Sequence, residues 1–504
     1  MSGAGMSGAG MSAAGMSAPL EVRDSGAELL PDPARVVADL FLPGESTPGA
    51  VSRSEGVVER VLGASRAELE AAAALIEREF APRHTGLDPL LTANAEKVHP
   101  AEDDFDAVTA LVLGATFTAE YAIEGAALCN PSAVVAPDQS DVPDGHLRVL
   151  LSLRSIGEGH VSAISFCTAL IGPDHTWAFE PRALPLARPA TSEGEWDLDH
   201  LRSSLEHDGQ MTEVAHAVLV KLPARARKAD IDIAIRSLPD EFFTGYDSRA
   251  RVEAIRVVGR SAYDARFSPD SILSQRVLLP IADEERHGME DARFVRFVDD
   301  DGSVEYRGSY TAYDGRAINS RFIATTDFRD FSIRRLTGPP ARTKGMAFFP
   351  RRVGGRLLAL TRSGGESISL AESLNGLDWS DETLVYAPEL LWEVVQSGNC
   401  GSPIETDRGW LVLTHGVGPM RRYAIGAILL DLDDPTKVLA RLETPLIEPD
   451  GDLQDGYVPH VVYSCGGLVH DDILWVPYGV GDSRIRVASV PLGELLDAMT
   501  PIAP

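Results

Sequence analysis

The chain has 504 residues, 44% of them hydrophobic, which is long enough for several domains or for one large repeat fold with attachments. Its 75 acidic residues outnumber 46 basic ones, and the net charge of -29 argues against nucleic acid or an anionic membrane as a partner. A local basic pocket can still hold an anionic substrate. No apolar run reaches the roughly 18 residues of a membrane span, and no signal-peptide pattern opens the chain. The four cysteines lack metal-ligand spacing, so we predict buried free thiols in a cytoplasmic protein.

The first 125 residues predict a tail followed by a helical region. Residues 1–18 repeat Met-Ser-Gly-Ala-Gly with small variations, which is typical of a disordered low-complexity tail. Ser65 and Glu68 form a capping-box pattern before an Ala-, Leu- and Glu-rich helix that reaches Phe80. A second helical pattern covers 104–124. We predict that 19–125 forms an N-terminal helical region, a scaffold or an oligomer contact, which leaves a homo-oligomer open.

From residue 126 the pattern changes to short strands. Strand patterns at 133–135, 146–154 and 161–171 come before helical segments, which we interpret as an insertion over about 196–240. After Val252 the chain is predicted to stay β to its end, with strand candidates about every 10–15 residues. Many short strands at even spacing indicate a sandwich, barrel or propeller, and the length of 126–495 favours a propeller.

A charged stretch at the start of a strand is the main candidate for chemistry. The sequence HGMEDARFVRF, from His287 to Phe297, places Glu290, Asp291 and Arg293 just before alternating apolar residues. The acidic turn and the aromatic strand that follow complete a predicted β-hairpin. A carboxylate beside Arg and His at the mouth of a strand is a candidate acid or base. These residues alone leave open the alternative of a solvated turn with surface ion pairs.

Several motifs, in order along the chain, resemble those of the family-130 glycoside phosphorylases and hydrolases. HGMEDARFVRF resembles the family's GxEDxR motif, and TKGMAFFPRRVGGRLLALTR resembles its strand pair with a basic residue at each end. QSGNCGSPIETDRGWLVLTHGV, GYVPHVVYSCG and YGVGDSRIRVAS are similar to later family stretches. The resemblance covers about residues 125–495. It implies a mainly β fold, a five-bladed β-propeller to which the N-terminal helical region and the helical insertion are added.

The resemblance also implies roles for single residues, carried over only where the motifs match. Asp291 matches the general acid, which protonates the leaving glycosidic oxygen directly or through a substrate hydroxyl. The positions that match phosphate contacts are Lys344, Arg362, His415 and Tyr423. The positions that match or flank the sugar site are Asn130, Arg154, Arg293 and Asp482. Gly345 stands where many members carry Asp, which leaves the acceptor sugar open.

Phosphorolysis and hydrolysis make different demands on such a site. Phosphate needs a cluster of cations, whereas an inverting hydrolase needs a carboxylate that activates water. Since no matched motif singles out that carboxylate, we predict an inverting phosphorylase of the hexosyltransferase type. It would use inorganic phosphate to release α-mannose 1-phosphate from a β-mannoside oligosaccharide, with no metal or organic cofactor. A β-mannoside hydrolase and a glycan-binding propeller without turnover stay as alternatives.

Overall fold

The computed structural model of the protein describes residues 20–44, 53–100, 106–244 and 247–502. The predicted tail over 1–18 lies outside the described residues. Those described form a mainly β fold, as the strand patterns predicted. None of the described helices combines the length and the apolar composition that a membrane crossing requires. The α-helices are Arg53–Leu62, Arg66–Glu79, Leu87–Val98, Ala107–Thr116, Leu198–His207, Glu213–Leu219, Lys228–Arg236, Ser248–Arg260 and Leu492–Ala498.

The largest sheet consists of two antiparallel groups that meet at a single parallel bridge between Ser162 and Gly288. The predicted hairpin is confirmed, because Gly288–Val298 pairs antiparallel with Val304–Tyr313. The bridge lies at the start of the strand that carries Asp291. The strands of this sheet are Ala127–Val135, Leu147–Ile156, Ser162–Gly172, Thr176–Phe179, Ala190–Glu193, Tyr263–Arg266, Val277–Leu278, Gly288–Val298, Val304–Tyr313, Ile318–Thr325 and Asp330–Arg335.

Three further sheets follow in the C-terminal half. The first contains Ala347–Phe348, Leu357–Ser363, Ser367–Ser373 and Thr383–Tyr386. The second contains Gln396–Asn399, Ile404–Thr406, Gly409–Val417, Tyr423–Leu430, Val438–Arg441 and Thr500–Pro501. The third contains Val462–Tyr463, Leu468–His470, Ile473–Val480 and Arg484–Pro491, and it takes Arg23–Leu29 as an edge strand. The two ends of the described chain therefore share one sheet.

Apolar side chains fill the spaces between successive strand groups. Phe166 and Phe294 pack together between the two groups of the largest sheet, and Trp177 and Trp475 join that sheet to the last one. Trp410, which is fully buried, lies between the two sheets that contain 357–386 and 409–430. Each such side chain contributes roughly 1.5–3 kcal/mol on burial. The number of blades stays a prediction.

The N-terminal region is part helix and part strand. The capping box at Ser65 and Glu68 is present and starts the helix Arg66–Glu79. The predicted helix over 104–124 is too long, because Ala107–Thr116 ends before Phe117 and Thr118–Ala122 pairs with Val36–Leu40. The alternation in the sequence TAEYA suits such a strand. Segment 20–44 thus supplies strands within the region predicted as helical.

The helical insertion extends further than its sequence pattern predicted. Helix Ser248–Arg260 buries Val252, Ile255 and Val258 in the same apolar core as the three helices before it. The prediction of only β structure after Val252 was wrong here and at the C-terminal helix Leu492–Ala498. The β-branched residues of 252–258 suit strands as well as helices, and packing against the insertion decides the outcome.

Candidate active site

Two bulged strands face each other at the centre of the site. The register of Gly288–Val298 shifts between Glu290 and Arg293, and Asp291 between them has φ 55°. The register of Ala127–Val135 also shifts, and Asn130 has φ 50°. Asn130 Nδ2 donates to Asp291 Oδ1 over 2.6 Å. Such backbone costs about 1–3 kcal/mol per residue, so the surrounding fold must impose it, as happens at functional sites.

Two arginines hold the Asp291 segment in different ways. Arg154 donates to the Asp291 carboxylate over 3.2 Å and to the Glu290 carboxylate over 2.6 Å. Arg293 instead donates to the main-chain oxygen of Asp291 over 2.8 Å, to the main-chain oxygen of Cys400 over 2.8 Å and to Tyr463 Oη over 2.9 Å. Arg293 is buried, and its guanidinium donates hydrogen bonds to other groups of the protein. These contacts favour a structural role for Arg293 over sugar binding.

The site lowers the pKa of one carboxyl, Asp291, and raises the pKa of two others, Glu290 and Asp482. Burial alone would raise the pKa of Asp291, but Arg154, Arg293 and nearby cations outweigh it and lower that pKa below its ordinary value. Burial raises the pKa of Glu290, although Arg154 opposes the shift. Burial, followed by repulsion from Asp291, raises the pKa of Asp482 to about 6. Asp291 is therefore ionised in the free protein, whereas Asp482 titrates near neutrality.

A further buried guanidinium, that of Arg362, has no carboxylate partner among the described residues. Arg362 is 5% exposed, and it donates to Tyr463 Oη over 3.3 Å. One of its terminal nitrogens lies 3.1 Å from His415 Nε2, while its own Nε has no partner in the described structure. An unpaired buried charge is costly, so this geometry is suited to an anion that completes it.

The imidazole of His415 is neutral and accepts hydrogen bonds. Burial, followed by repulsion from Arg362, lowers the pKa of His415 well below its ordinary value. Gln396 Nε2 lies 3.0 Å from His415 Nε2, so two donor groups face this one nitrogen and it must act as an acceptor. The Tyr423 ring lies parallel to the imidazole, with 6.3 Å between centroids. The Tyr423 ring thus lies beside the His415 imidazole.

The second predicted phosphate cation, Lys344, lies in a loop next to Arg362. Its side chain is exposed and makes no hydrogen bond or ion pair with the part of the chain described here. Its charge lowers the pKa of Asp291 and of His415, so the ammonium lies within electrostatic range of both. Gly345, at φ 87°, brings this loop against Arg362, and Asn399 Nδ2 donates to the Gly345 carbonyl over 2.8 Å.

Hydrogen bonds and electrostatic interactions thus link the predicted acid, the predicted cations and the predicted sugar residues into one cluster. Asp482 lies in a turn at φ 50°, and its pKa responds to Arg154, Asp291 and Lys344. Arg421 also faces this site, since it lowers the pKa of Asp482 and its guanidinium carbon lies 6.0 Å from the Tyr423 ring centroid. Arg422, the next residue along the chain, is instead paired with the carboxylates of Glu448 and Asp450.

Two site residues were missed by sequence reasoning. Tyr463 links the two halves of the cavity, because its hydroxyl accepts from both Arg293 and Arg362. Gln396 orients His415. Both lie inside stretches that resemble the family, GYVPHVVYSCG and QSGNCGSPIETDRGWLVLTHGV, so the motifs were a signal that could have found them.

Comparisons with known proteins agree with these motifs. A family model described as beta-1,4-mannooligosaccharide phosphorylase matches residues 268–501. The chain is 32% identical over 236 residues to a 1,2-beta-oligomannan phosphorylase of Thermoanaerobacter sp. (strain X514), which covers 45% of this chain and 78% of that protein. It is 31% identical over 293 residues to the beta-1,2-mannobiose phosphorylase of Listeria innocua, which covers 54% of this chain and 79% of the relative.

This chain is also similar to a solved structure of beta-1,2-mannobiose phosphorylase from Listeria innocua in complex with beta-1,2-mannobiose. It is 23% identical, with a TM-score of 0.45 over 75% of this chain and 93% of that one. On the sequence comparisons, the chain belongs to glycoside hydrolase family 130. The part of the chain before residue 268 lies outside the family model.

Proposed function

We propose that the protein is an inverting glycoside phosphorylase that acts on β-mannosides and uses inorganic phosphate to release α-mannose 1-phosphate. The observation that carries this proposal is the buried Arg362 guanidinium, which lacks a carboxylate partner among the described residues. The relatives of this protein are named as mannoside phosphorylases, which supports the same class of reaction. The linkage and the acceptor sugar stay outside the proposal.

The cation wall suits phosphate in charge and in geometry. Arg362 offers an unused Nε–H, and Lys344 has no ion-pair partner among the described residues, so both can donate to phosphate oxygens. Neutral His415 and the hydroxyl of Tyr423 complete the wall without adding a further positive charge to those of Arg362 and Lys344. A phosphate held there would lie across the cavity from Asp291, on the side opposite a leaving sugar.

The lowered pKa of Asp291 must rise before it can act as an acid. Phosphate carries about -1.5 to -2 charges near neutral pH, and these offset the field of Lys344 and the arginines. In phosphorolysis, a phosphate oxygen forms a bond to the anomeric carbon while the glycosidic C–O bond breaks. The Asp291 proton passes to the leaving oxygen, directly or through a substrate hydroxyl. In the reverse direction the ionised Asp291 takes that proton from the acceptor hydroxyl.

The sugar side is supplied by polar atoms that lie around Asp291. Asn130 Oδ1 has no partner within the described structure, so it is free to accept from a sugar hydroxyl. Arg154 and Asp482 add a donor and an acceptor to the same wall. Holding the mannose ring beside the acid converts the attack of phosphate into a nearly intramolecular step.

A hydrolase on the same fold is the second candidate, and Asp482 favours it. A carboxylate whose pKa is about 6 is suited to activate water as a general base. However, the pKa of Asp482 responds to Arg154 and Asp291 as well as to Arg421 and Lys344, so its electrostatics do not assign it to the face opposite the acid. An inverting base has to act from the face opposite the acid, and we therefore prefer phosphorolysis.

The proposed enzyme is a five-bladed β-propeller that needs no cofactor and acts in the cytoplasm. Five strand groups packed around successive apolar cores support a five-bladed propeller, with the strand Arg23–Leu29 completing the last blade. The reaction needs a proton donor and a phosphate site but no metal or organic cofactor. The four cysteines are free and buried, as expected of a cytoplasmic enzyme.

The reverse reaction tests the proposal. The protein is incubated with mannose 1-phosphate and a panel of acceptor sugars, and released phosphate is measured. We expect release by the native protein and a loss of at least about 100-fold in Asp291→Asn. Asp301→Asn, in an exposed turn, serves as the control and should keep native activity. Mannose release from β-mannosides at a rate independent of phosphate would support the hydrolase instead.

A further inference from the structure

A cavity of about 590 Å³ lies between the N-terminal region and two loops at the edge of the candidate active site. One wall is the strand pair Val36–Leu40 and Thr118–Ala122, together with Phe41. The other walls are the turn Glu158–His160 and the segment 279–286. Its volume falls in the range of about 300–1,000 Å³ that is typical of small-molecule sites.

The N-terminal wall is fixed to the rest of the fold. Arg35 is completely buried, and it pairs with Glu124 over 2.9 Å and donates to the Ser274 carbonyl over 2.7 Å. Tyr121 Oη donates to the Val161 carbonyl over 3.0 Å. Buried charge-assisted hydrogen bonds hold this wall in a fixed position. The cavity is therefore a preformed part of the fold.

The cavity shares both of its loops with the candidate active site. Ser162, which follows the turn Glu158–His160, accepts from Arg154 Nε over 2.9 Å and pairs with Gly288. On the other side of that turn, Tyr457 Oη lies 2.9 Å from His160 Nδ1. The segment 279–286 leads directly into the strand of Asp291. Both loops of the cavity are therefore joined along the chain to strands of the candidate active site.

The lining suits a neutral polyhydroxyl ligand. Phe41 is 53% exposed and Ile281 is 45% exposed, so an apolar surface is open to the faces of sugar rings. Glu158 and Arg286 are exposed and make no hydrogen bond or ion pair within the described chain, which leaves one acceptor group and one donor group for hydroxyls. Burial, together with the negative charge of Glu158, raises the pKa of Tyr121 to about 12. The Tyr121 hydroxyl therefore stays protonated.

We propose that this cavity is an outer subsite that binds the distal sugars of a neutral oligosaccharide whose reacting bond lies at Asp291. The inference rests on the proposed function for the class of sugar. The N-terminal wall lies outside the residues that the family model matches. This subsite would therefore give this protein its own preference for the length of the oligosaccharide.

The test compares a long and a short β-mannoside acceptor in Phe41→Ala and Glu158→Ala. We expect the ratio of kcat/KM for the long over the short acceptor to fall about tenfold in each variant, which is the loss of one good contact. Phe243→Ala and Glu77→Gln change exposed residues of the same types elsewhere and should keep the native ratio. Variants whose ratio matches these controls would overturn the subsite.

A second measurement separates this proposal from the proposed reaction. Amide hydrogen exchange of the native protein is followed with the long oligosaccharide in the absence of phosphate. We expect protection at 37–41, 158–161 and 279–286, and its loss in Phe41→Ala. If the protein turns over no mannoside and this protection is still seen, the proposed reaction fails while the subsite stands. Absence of protection in the native protein would overturn the subsite even if the enzyme is active.

Discussion

Replacing Arg362 with Met separates a binding role from a structural one. In the native fold this guanidinium is buried without a carboxylate partner among the described residues, and its Nε–H is unused. Removing such a charge while keeping an apolar side chain of similar length is neutral or stabilising, by up to roughly 1–4 kcal/mol in comparable cases. The loss of the contacts with Tyr463 and His415 offsets part of this gain. We therefore expect an unfolding free energy equal to or above that of the native protein.

Phosphate binding should show the opposite effect in the same variant. Two charge-assisted hydrogen bonds from Arg362 to phosphate are worth about 1.5–3 kcal/mol each, so kcat/KM for phosphate should fall about 100-fold or more. Phosphate at about 100 times its Kd stabilises a protein that binds it by about 2.7 kcal/mol. This shift in the denaturation midpoint, which requires no turnover, should be present in the native protein and absent in Arg362→Met.

Arg335 provides the matched control for a buried arginine with a structural role. It pairs with Asp208 over 2.7 Å and with Glu284 over 3.0 Å. Arg335→Met leaves those carboxylates without this partner and should destabilise the fold by about 3 kcal/mol. Urea unfolding with and without phosphate measures both variants. A destabilised Arg362→Met that still gains stability from phosphate would refute the role given to Arg362.

Three further predictions test other parts of the site. Gly398→Ala should abolish activity and cost about 1–3 kcal/mol of stability, because its Cβ would lie 2.5 Å from His415 Cε1, whereas Gly493→Ala, with nothing within 4 Å of its Cβ, should do neither. The pKa of Asp482 is raised to about 6, so its contribution to stability is full below about pH 4 and is lost as pH rises through 6. Asp482→Asn should therefore gain about 2 kcal/mol relative to native above pH 6 and nothing near pH 4, as urea unfolding at each pH will show. Glu285→Gln should lower the free energy of unfolding by about 2 kcal/mol in the same assay. The buried Glu285 carboxylate accepts hydrogen bonds from two backbone amides and two tyrosine hydroxyls, and the side-chain NH2 group of Gln would face one of these donors with a donor of its own.

The motifs predicted which residues form the candidate site, but they carried no information about its shape. They grouped Asp291, Arg362 and His415 into one predicted site, because family resemblance carries spatial information that spacing along the chain does not. The bulges at Asn130 and Asp291 could not be predicted, since positive φ at these residues depends on hydrogen bonds to strands far away in the chain.

The fold was predicted best where the pattern is local. The capping box at Ser65 and the hairpin after Gly288 involve neighbours in sequence, and both are confirmed. The pairing of Arg23–Leu29 with Arg484–Pro491 joins opposite ends of the described chain, and no local pattern encodes it. The end of the helix Ala107–Thr116 was predicted too late and the helix Ser248–Arg260 was missed, because tertiary packing overrides weak local propensity.

The most direct test of the central claim is to follow a β-mannoside and inorganic phosphate with the native protein by phosphorus NMR. The proposed reaction predicts that the phosphate signal falls as an α-mannose 1-phosphate signal grows in equal amount, and that no free mannose forms without phosphate. Free mannose that forms at the same rate whether or not phosphate is present would contradict it.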